Sequence, residues 1–491
     1  MATPADQTRS RTFLGHPLGL VNLFSTELCE RFSFYGMKAI LVYYLYDSIP
    51  HGGLGLSETD AMVFMSLFGS LVYLTSIVGG WLADRVLGPF RTVLIGGVTI
   101  AAGHVVLGFP LGLAGTLVAL SLIIAGTGLL KPNVSVMVGQ LYAAGDPRRQ
   151  AGFTLLYLSI NIGSFISPLL VGWVSDHSGY HAGFLIPAVF MIVALVIYVG
   201  LSRRTLAGIG RAVPQPLTGR ERRRWAIIGG VGGALVIAVL FLVSRHGDQG
   251  LKAFSNATPI LCVAIAALLF AYFLRDVRLD APERSRIAAY APLFIAGTCF
   301  FAISEQQGST MALVIDQDVV TRIGGFDIPN SWFQSINPLV IIVLSPLLAG
   351  FWTRLGGRQP SPVTKIGAGL VVAAAGFAVL ATPYLMGQEQ DISPAWVVAA
   401  MVLITLGELL LAPTGLAVTS QLSPSLHISK MMALWFIADA LGQGINALTV
   451  HGFDPLQPEG FFLAYGAVAL LAGLAVMAAR KPLIRLARGA L

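Results

Sequence analysis

Long apolar runs alternate with short polar segments along the whole chain. A helix needs about 20 mostly apolar residues to cross the hydrocarbon core of a bilayer. Fourteen stretches meet this requirement, at residues 20–46, 60–86, 92–112, 115–142, 152–174, 183–202, 225–244, 257–274, 289–314, 332–354, 364–386, 395–420, 430–450 and 460–479. The connections between them are short, so the pattern predicts a bundle of membrane-spanning helices without a soluble domain.

The composition supports this class. Of the 491 residues, 55% are hydrophobic and only 11% are charged, and the mean hydropathy is +0.76. Soluble domains carry about 25% charged residues, so the soluble and disordered classes are excluded. The 31 Lys and Arg outnumber the 24 Asp and Glu, but they lie between the apolar runs, which argues against nucleic acid as a partner. We expect an all-α polytopic membrane protein surrounded by the lipid bilayer.

The positions of the basic residues predict the orientation. With the N-terminus inside, 25 of the 31 Lys and Arg residues fall on the inner side, seven of them within residues 203–224. Cytoplasmic loops of membrane proteins are enriched in these residues, so both termini are expected in the cytoplasm and the protein in the cell inner (plasma) membrane. The first apolar run continues past residue 40, and no cleaved signal peptide is expected.

The spans divide as six, two and six, and the two groups of six resemble each other. Aligning Pro132 with Pro413 also aligns Gly126 with Gly407. Parallel repeats with a site between them are common in transporters. We predict an N-terminal six-helix bundle at 1–205, an inserted two-helix hairpin with linkers at 206–285, and a C-terminal six-helix bundle at 286–491.

Charged side chains fall inside several predicted spans. A charge at the centre of a bilayer costs at least ~2.5–3.5 kcal/mol, and such residues usually mark a pathway for substrate or ions. Five are acidic and three are basic, so two acids have no basic partner, and a desolvated carboxylate in that position binds a proton readily. The pattern therefore suggests proton coupling. The eight residues are Glu27, Glu30, Arg31, Lys38, Lys131, Glu305, Glu408 and Asp439.

The first span carries a polar stripe. At about 100° per residue, six positions fall on one face, and Glu27 and Arg31 are i,i+4 neighbours on it. The six are Glu27, Glu30, Arg31, Phe34, Tyr35 and Lys38. Such a face must contact protein or water. One interpretation is a ladder of ion pairs that only holds helices together. A cavity lining is favoured, because polar groups recur on several helices, and a cavity with both signs of charge suits a zwitterion.

Other polar residues carry less information. Tyr73, Asn161, Gln334 and Asn337 lie in spans, where an Asn often serves only as a hydrogen bond between helices, and His104 is expected to be packed. No His, Cys and Glu spacing suits a metal, and no glycine-rich phosphate loop is present. We expect no cofactor, with protons as the coupling ion.

Several segments resemble the proton-dependent oligopeptide transporter (POT/PTR) family, of bacterial type. Residues 27–37, ELCERFSFYGM, are similar to its ExxERFxYYG motif, and residues 153–164, FTLLYLSINIGS, to its second signature. Residues 80–88 resemble the loop motif of the wider major facilitator superfamily. Shorter similarities continue in order along the chain, at 305–310, 334–338, 407–409 and 435–436.

The resemblance implies a major facilitator fold, in which two six-helix bundles rock around a central site, here with an inserted helix pair to give fourteen transmembrane helices. It implies a proton-coupled symporter that imports di- and tripeptides by alternating access, not an enzyme, and we expect a monomer. By the same resemblance, Lys131 and Arg31 would meet the peptide carboxylate. Its amino end would meet Glu408, Asn161 and Asn337.

The remaining roles also follow from the resemblance. The site would be lined by Tyr35, Tyr73 and Trp435, of which Trp435 forms a wall of a side-chain pocket. Protonation would be coupled to binding by Glu27, Glu30 and Arg31. Lys38 and Glu305 would form an ion pair between the bundles that a proton or the substrate breaks.

This sequence departs from the family pattern at a few positions. Phe34 and Lys38 stand where Tyr and Arg are common, Phe301 replaces a frequent Trp, and Asp439 matches no family role. Alternative functions are transport of another substrate such as nitrate, a drug or an amino-acid conjugate, a membrane enzyme acting on lipid-linked substrates, and a nutrient sensor. The last two would need a larger outer loop or a signalling domain, and neither is evident.

Overall fold

Helices make up almost all of the computed structural model, which describes residues 12–13, 15–143, 145–225, 227 and 248–490. We number the helices in chain order. The first six are α1 (Leu18–Tyr46), α2 (Glu58–Leu82), α3 (Pro89–Leu107), α4 (Gly112–Gln140), α5 (Arg148–Ser178) and α6 (Tyr180–Thr205). They are followed by α7 (Asp248–Arg275), α8 (Ala281–Ser304), α9 (Thr310–Asp318), α10 (Ile336–Leu355), α11 (Pro362–Leu385), α12 (Pro394–Leu422), α13 (Ile428–Thr449), α14 (Pro458–Ala478) and α15 (Arg480–Leu486).

The strands are short and form two hairpins. β1 (Thr12–Phe13) pairs antiparallel with β2 (His16–Pro17), just before α1. β3 (Arg322–Ile323) pairs antiparallel with β4 (Phe326–Asp327), between α9 and α10. Both hairpins are connections and contribute nothing to a membrane span.

The predicted spans are confirmed wherever the structure describes them. Within the described residues, twelve helical segments are long and apolar enough to cross a membrane. Helix α1 is 29 residues long, and it is more polar because it carries the charged stripe. Each predicted span other than 225–244 overlaps a described helix. That stretch lies outside the described residues apart from positions 225 and 227.

The helices pack into two compact units. One unit comprises the described residues up to Leu56 and Leu71–Phe254, and the other comprises Ser57–Ser70 and everything described from Ser255 onwards. The boundary between them falls within α2. The division into 1–205, 206–285 and 286–491 stays a prediction, since part of the inserted hairpin lies outside the described residues.

Close glycine contacts hold equivalent helix pairs in the two units. In the first unit, a Cβ added to Gly126 on α4 would lie 2.6 Å from the Gly96 carbonyl oxygen on α3. In the second unit, a Cβ added to Gly407 on α12 would lie 2.5 Å from the Gly369 carbonyl oxygen on α11. Only glycine permits this approach of two backbones. The repeat inferred from Gly126 and Gly407 is therefore confirmed as a repeated helix contact.

A break interrupts the predicted span 289–314. Helix α8 ends at Ser304, residues Glu305–Gly308 form a 3₁₀ turn, and α9 begins at Thr310 after a non-helical Ser309 with φ −135° and ψ −98°. The side chain of Gln306 accepts hydrogen bonds from Ser309 and Thr310, at 3.2 and 2.6 Å. Residues 304–310, SEQQGST, are polar and include a glycine, so the sequence carried a sign of the break that the prediction of one span, 289–314, did not use.

The loop motif after α2 contacts the segment that follows α6. Arg85 donates to Glu221 at 3.1 Å and to Gln215 at 3.3 Å. The Gln215 amide also donates to the Asp84 carbonyl oxygen at 2.9 Å. The arginine of this motif therefore fixes the path of the linker on the first unit.

Candidate functional site

The charged stripe of α1 forms a buried ion cluster in the first unit. The guanidinium of Arg31 donates from Nε and Nη2 to the two oxygens of Glu30, the second at 2.7 Å. Its Nε also lies 3.4 Å from Glu27 Oε1. Glu30 and Arg31 are 0% and 2% exposed. Two carboxylates thus share one guanidinium, and the cluster carries a net charge of −1 when all three groups are ionised.

The second carboxylate oxygen of Glu27 is the least well satisfied polar atom of this cluster. Glu27 Oε2 is buried and accepts no hydrogen bond within the described part of the chain. A buried acceptor without a partner costs about 1–3 kcal/mol, and more when it is charged. A proton bound to Glu27 would remove the excess charge of the cluster. The geometry therefore favours a group that can bind and release a proton.

Close helix packing keeps water away from the cluster. A Cβ added to Gly163 on α5 would lie 2.6 Å from the Leu28 carbonyl oxygen and 3.3 Å from Arg31 Cβ. The backbone of α5 therefore rests directly on α1 beside the cluster. Gly163 belongs to the segment that resembles the second family signature. The close contact with α1 explains why a residue without a side chain stands at this position.

Two aromatic residues that follow Arg31 on α1 pack beside its guanidinium and against each other. The Arg31 guanidinium carbon lies 5.3 Å from the centroid of the Phe34 ring. Phe34 in turn meets Tyr35 edge to face, with centroids 5.3 Å apart. At the position where the family motif commonly has Tyr, this chain offers a ring face to a cation in place of a hydroxyl.

Lys131 lies on α4, and its ammonium is over the ring of Tyr73 on α2. The distance from Nζ to the ring centroid is 3.9 Å. Both side chains are partly exposed, unlike the ion cluster on α1. An ammonium held over an aromatic face and still accessible can bind a carboxylate. Lys131 and Tyr73 are in contact, and the role of each toward substrate stays a prediction.

Asn161, also predicted as a substrate ligand, lies on α5 and is largely buried. Its side-chain nitrogen donates to the Tyr157 carbonyl oxygen one turn earlier, at 2.9 Å. The amide nitrogen is therefore engaged with its own helix. The structure does not bring it to Lys131 by any described contact, and its role toward substrate stays a prediction.

Glu408 forms the acidic centre of the second unit. Asn337 Nδ2 on α10 donates to Glu408 Oε2 on α12 at 2.8 Å, and to Thr405 Oγ1 at 3.1 Å. Thr405 donates its own hydroxyl to the Met401 carbonyl oxygen, so it can only accept from Asn337. The carboxylate is partly exposed and fixed in orientation. It can receive an ammonium group.

Thr405 was missed by the sequence analysis. It precedes Glu408 by three residues and so lies on the same face of α12. That spacing was the available signal. Threonine is common in membrane helices, however, and nothing in the sequence marked this one.

Trp435 lies on α13 and is almost completely buried. Its ring covers Gly415 on α12, where an added Cβ would overlap it, and lies 3.2 Å from a Cβ added at Gly297 on α8. Phe301 meets the same ring edge to face at 5.3 Å. Two glycines therefore make the space that Trp435 fills, and Phe301 packs where the family frequently has Trp.

Glu305 begins the 3₁₀ turn between α8 and α9, and Lys38 lies on α1 in the other unit. Their ion pair stays a prediction. The same turn is tied to α10, because Gln334 Nε2 donates to the Gln307 carbonyl oxygen.

The comparisons with known proteins agree with these motifs. The family model PTR2, described as the POT family, matches residues 90–457, which is well over half of the chain. The chain belongs to the POT family. The protein is accordingly a multi-pass membrane transporter and not an enzyme.

Named relatives and solved structures of the POT family cover nearly the whole chain. The di-/tripeptide transporter of Lactococcus lactis subsp. cremoris is 40% identical over 486 residues, with 97% of each chain covered. A crystal structure of a peptide transporter POT in complex with sulfate has a TM-score of 0.94 at 41% identity, with 99% of each chain covered. A mutant of a peptide transporter POT in complex with alafosfalin has a TM-score of 0.93 at 42% identity, again with 99% of each chain covered. The fold is therefore that of the POT transporters, the major facilitator type.

Proposed function

We propose that this protein is a symporter that imports di- and tripeptides together with protons by alternating access. The observation that carries the proposal is the buried cluster of two carboxylates on one guanidinium in α1. A cluster with one carboxylate in excess is a device for binding a proton at membrane depth. The names of the relatives supply the substrate class.

The two proposed partners of a zwitterion carry opposite charges. Lys131, steadied by Tyr73, is the proposed partner of the peptide carboxylate. Glu408, oriented by Asn337, is the proposed partner of the peptide amino group. Nitrate and most drugs would use only one of these charges. Amino-acid conjugates bear both, so peptide length and side-chain contacts would have to discriminate against them.

Arg31 is proposed to change partners during the cycle. In this structure its donors are directed at Glu30 and Glu27, and it is buried. A proton on either carboxylate removes one competing charge, and the guanidinium is then more available to the peptide carboxylate. Coupling of this kind makes the state of Arg31 depend on the proton, and so biases a two-state equilibrium.

The proposed setting follows the distribution of basic residues. Both termini lie in the cytoplasm, and the protein resides in the inner (plasma) membrane. The proposed working unit is a monomer. No cofactor is involved, and protons are the coupling ion.

The test is uptake of labelled dialanine by proteoliposomes. An imposed inward proton gradient is expected to drive concentration of the peptide above its outside level. Collapse of the gradient with a protonophore is the control, and it should leave only equilibration. Absence of saturable dialanine uptake with and without the gradient would contradict the proposal and direct the search to other zwitterions.

The pH profile of uptake is expected to be unchanged in Asp146→Asn. Hydrogen bonds from the side chain and backbone of Arg148 lower the pKa of Asp146 to about 2. A carboxylate with a lowered pKa stabilises the fold above its unfolded pKa of about 3.9, and that contribution is lost only as the pH falls through the folded value. Between about pH 5 and pH 8, Asp146 therefore stays ionised. Uptake rates of both proteins across this range test it, and a shifted midpoint in the variant would contradict it.

A further inference from the structure

The segment that follows α6 is strongly basic. Residues 203–225 hold seven arginines and a single acid, Glu221. Four of the arginines surround this acid in the run Arg220–Arg224, and all four side chains are exposed. None of the four forms an ion pair with a residue that the structure describes. The proposed peptide site uses none of these arginines.

Glu221 cannot neutralise its neighbours, because both of its oxygens are occupied. Oε1 accepts from Arg85 Nη2 at 3.1 Å. Oε2 accepts from the amide and the hydroxyl of Thr218, at 3.0 and 2.9 Å. The hydrogen bonds from the backbone and the hydroxyl of Thr218 lower the pKa of Glu221, so the carboxylate stays ionised and continues to hold Arg85.

The segment is fixed to the first unit on both sides of the four arginines. Before them, the Phe90 amide on α3 donates to the Gly210 carbonyl oxygen at 2.9 Å. After them, Trp225 packs on Trp81 at the end of α2, with ring centroids 4.5 Å apart. Arginines that served only to set the orientation of the chain in the membrane would not need a path fixed in this way.

The acid and the arginines lie on different faces of a short helix, since residues 219–225 are helical. Glu221 and Trp225 are i,i+4 neighbours, and both contact the first unit. At about 100° per residue, Arg223 lies directly opposite that face, and the other three lie at least about 80° away from it. The helix therefore has one docked face and an outer surface of guanidinium groups. We call Arg220, Arg222, Arg223 and Arg224 the arginine patch.

The place of the arginine patch in the chain indicates its partner. Trp225 begins the apolar run 225–244, so the patch immediately precedes a predicted span. Tryptophan is enriched where a span meets lipid headgroups, and Trp225 is 38% exposed. Clusters of four or more basic residues beside a span attract anionic lipids. Guanidinium groups suit this role, because they bind phosphate oxygens in pairs.

We propose that the arginine patch binds the phosphate groups of anionic lipids in the leaflet on its side of the membrane, and that Glu221 is a positioning residue that turns the patch away from the first unit. Lipid is favoured over a soluble acidic partner, because a patch directly beside a span lies at the level of the headgroups. The inference goes beyond the proposed function and involves no group of the peptide site.

Native mass spectrometry of the purified full chain tests the proposal, in micelles that contain equal amounts of phosphatidylglycerol and phosphatidylethanolamine. The wild-type protein is expected to retain phosphatidylglycerol in preference. In the triple variant Arg222→Gln, Arg223→Gln and Arg224→Gln, the apparent affinity for phosphatidylglycerol should fall by about a hundredfold, or about fivefold for each arginine. A wild-type protein without a preference for phosphatidylglycerol would overturn the proposal.

The triple variant Arg480→Gln, Lys481→Gln and Arg485→Gln is the matched control. It removes the same number of charges from α15, where the three side chains are also exposed, and its affinity for phosphatidylglycerol should stay close to wild type. Equal losses in the two triple variants would show attraction to net charge alone and would overturn the site.

Inorganic phosphate separates a lipid site from a site for free phosphate. At an ionic strength matched with chloride, added phosphate should leave phosphatidylglycerol bound, because the lipid is also held by the micelle. Displacement of the lipid by phosphate, but not by chloride, would overturn the assignment to lipid.

Glu221→Gln tests the positioning role through the sign of its effect. The substitution removes a negative charge beside the arginine patch, so charge alone predicts tighter binding of phosphatidylglycerol. If Glu221 fixes the patch through Arg85, binding should weaken severalfold although the segment has become more positive. Tighter binding in Glu221→Gln would overturn the positioning role.

Discussion

Lys131→Gln is expected to lower saturable dialanine uptake by about a hundredfold. Loss of one partner from a desolvated charge pair typically costs about 2–5 kcal/mol, and each 1.4 kcal/mol is about a factor of ten. Lys131 is a partly exposed cation of the first unit, and its Nζ lies 3.9 Å from the centroid of the Tyr73 ring. The effect should appear as weaker peptide binding, measured by titration of the purified protein and by the concentration dependence of uptake.

Lys365→Gln is the matched control for this prediction. Lys365 also lies over an aromatic ring, with Nζ 4.0 Å from the centroid of Trp352, but outside the proposed site. If the ammonium over Tyr73 binds the peptide carboxylate, only Lys131→Gln should lose uptake. Equal losses in the two variants would indicate damage to cation–π packing and would contradict the substrate role.

Glu30→Gln is expected to abolish concentration of dialanine against its gradient while exchange of labelled for unlabelled peptide continues. The substitution removes the carboxylate that binds Arg31 through both oxygens and leaves an amide that cannot take up a proton at neutral pH. The cluster is then left with one carboxylate, Glu27, against one guanidinium, so the excess charge that favours proton binding is gone. Lys131 and Glu408 remain, so peptide can still bind.

The two readouts separate coupling from binding. Gradient-driven accumulation should fall to the level of equilibration, a loss of at least about a hundredfold in coupled rate, whereas exchange at equal pH should stay within a few-fold of wild type. Glu389→Gln, which neutralises an exposed loop carboxylate, controls for the change of net charge. Accumulation that survives in Glu30→Gln would place the coupling elsewhere, and Glu305 would be the next acid to test.

The sequence predicted one of the two ion pairs in the cluster on α1. Helical spacing identified Glu27 and Arg31 as neighbours, and they lie 3.4 Å apart. It did not identify Glu30 as the closer partner, because residues adjacent in sequence point in different directions from a helix. The side chains of Glu30 and Arg31 are long enough to meet although they leave the helix in different directions. Both are buried, so Arg31 has few other acceptors within reach.

The contacts of the glycines could not be predicted from the sequence. Gly126 and Gly407 were matched only as positions in a repeat, and each allows two helix backbones to touch in the structure. Gly69 carried no signal at all. In the structure Gly69 lies against the side chain of Gln443, which is far away in the sequence.

The sequence by itself determined the class of protein, thirteen described membrane helices, the family, and the charged residues placed at membrane depth. These depend on local hydropathy, helical periodicity and short motifs, which are properties of contiguous residues. Only the tertiary structure decided which distant residues meet: Asn337 and Glu408, 71 residues apart, Tyr73 and Lys131, and Gly69 and Gln443. It also placed a helix break at Glu305–Gly308 within the predicted span 289–314. Helix packing makes these choices, because it brings residues that are distant in the sequence together and leaves their polar groups few partners other than one another.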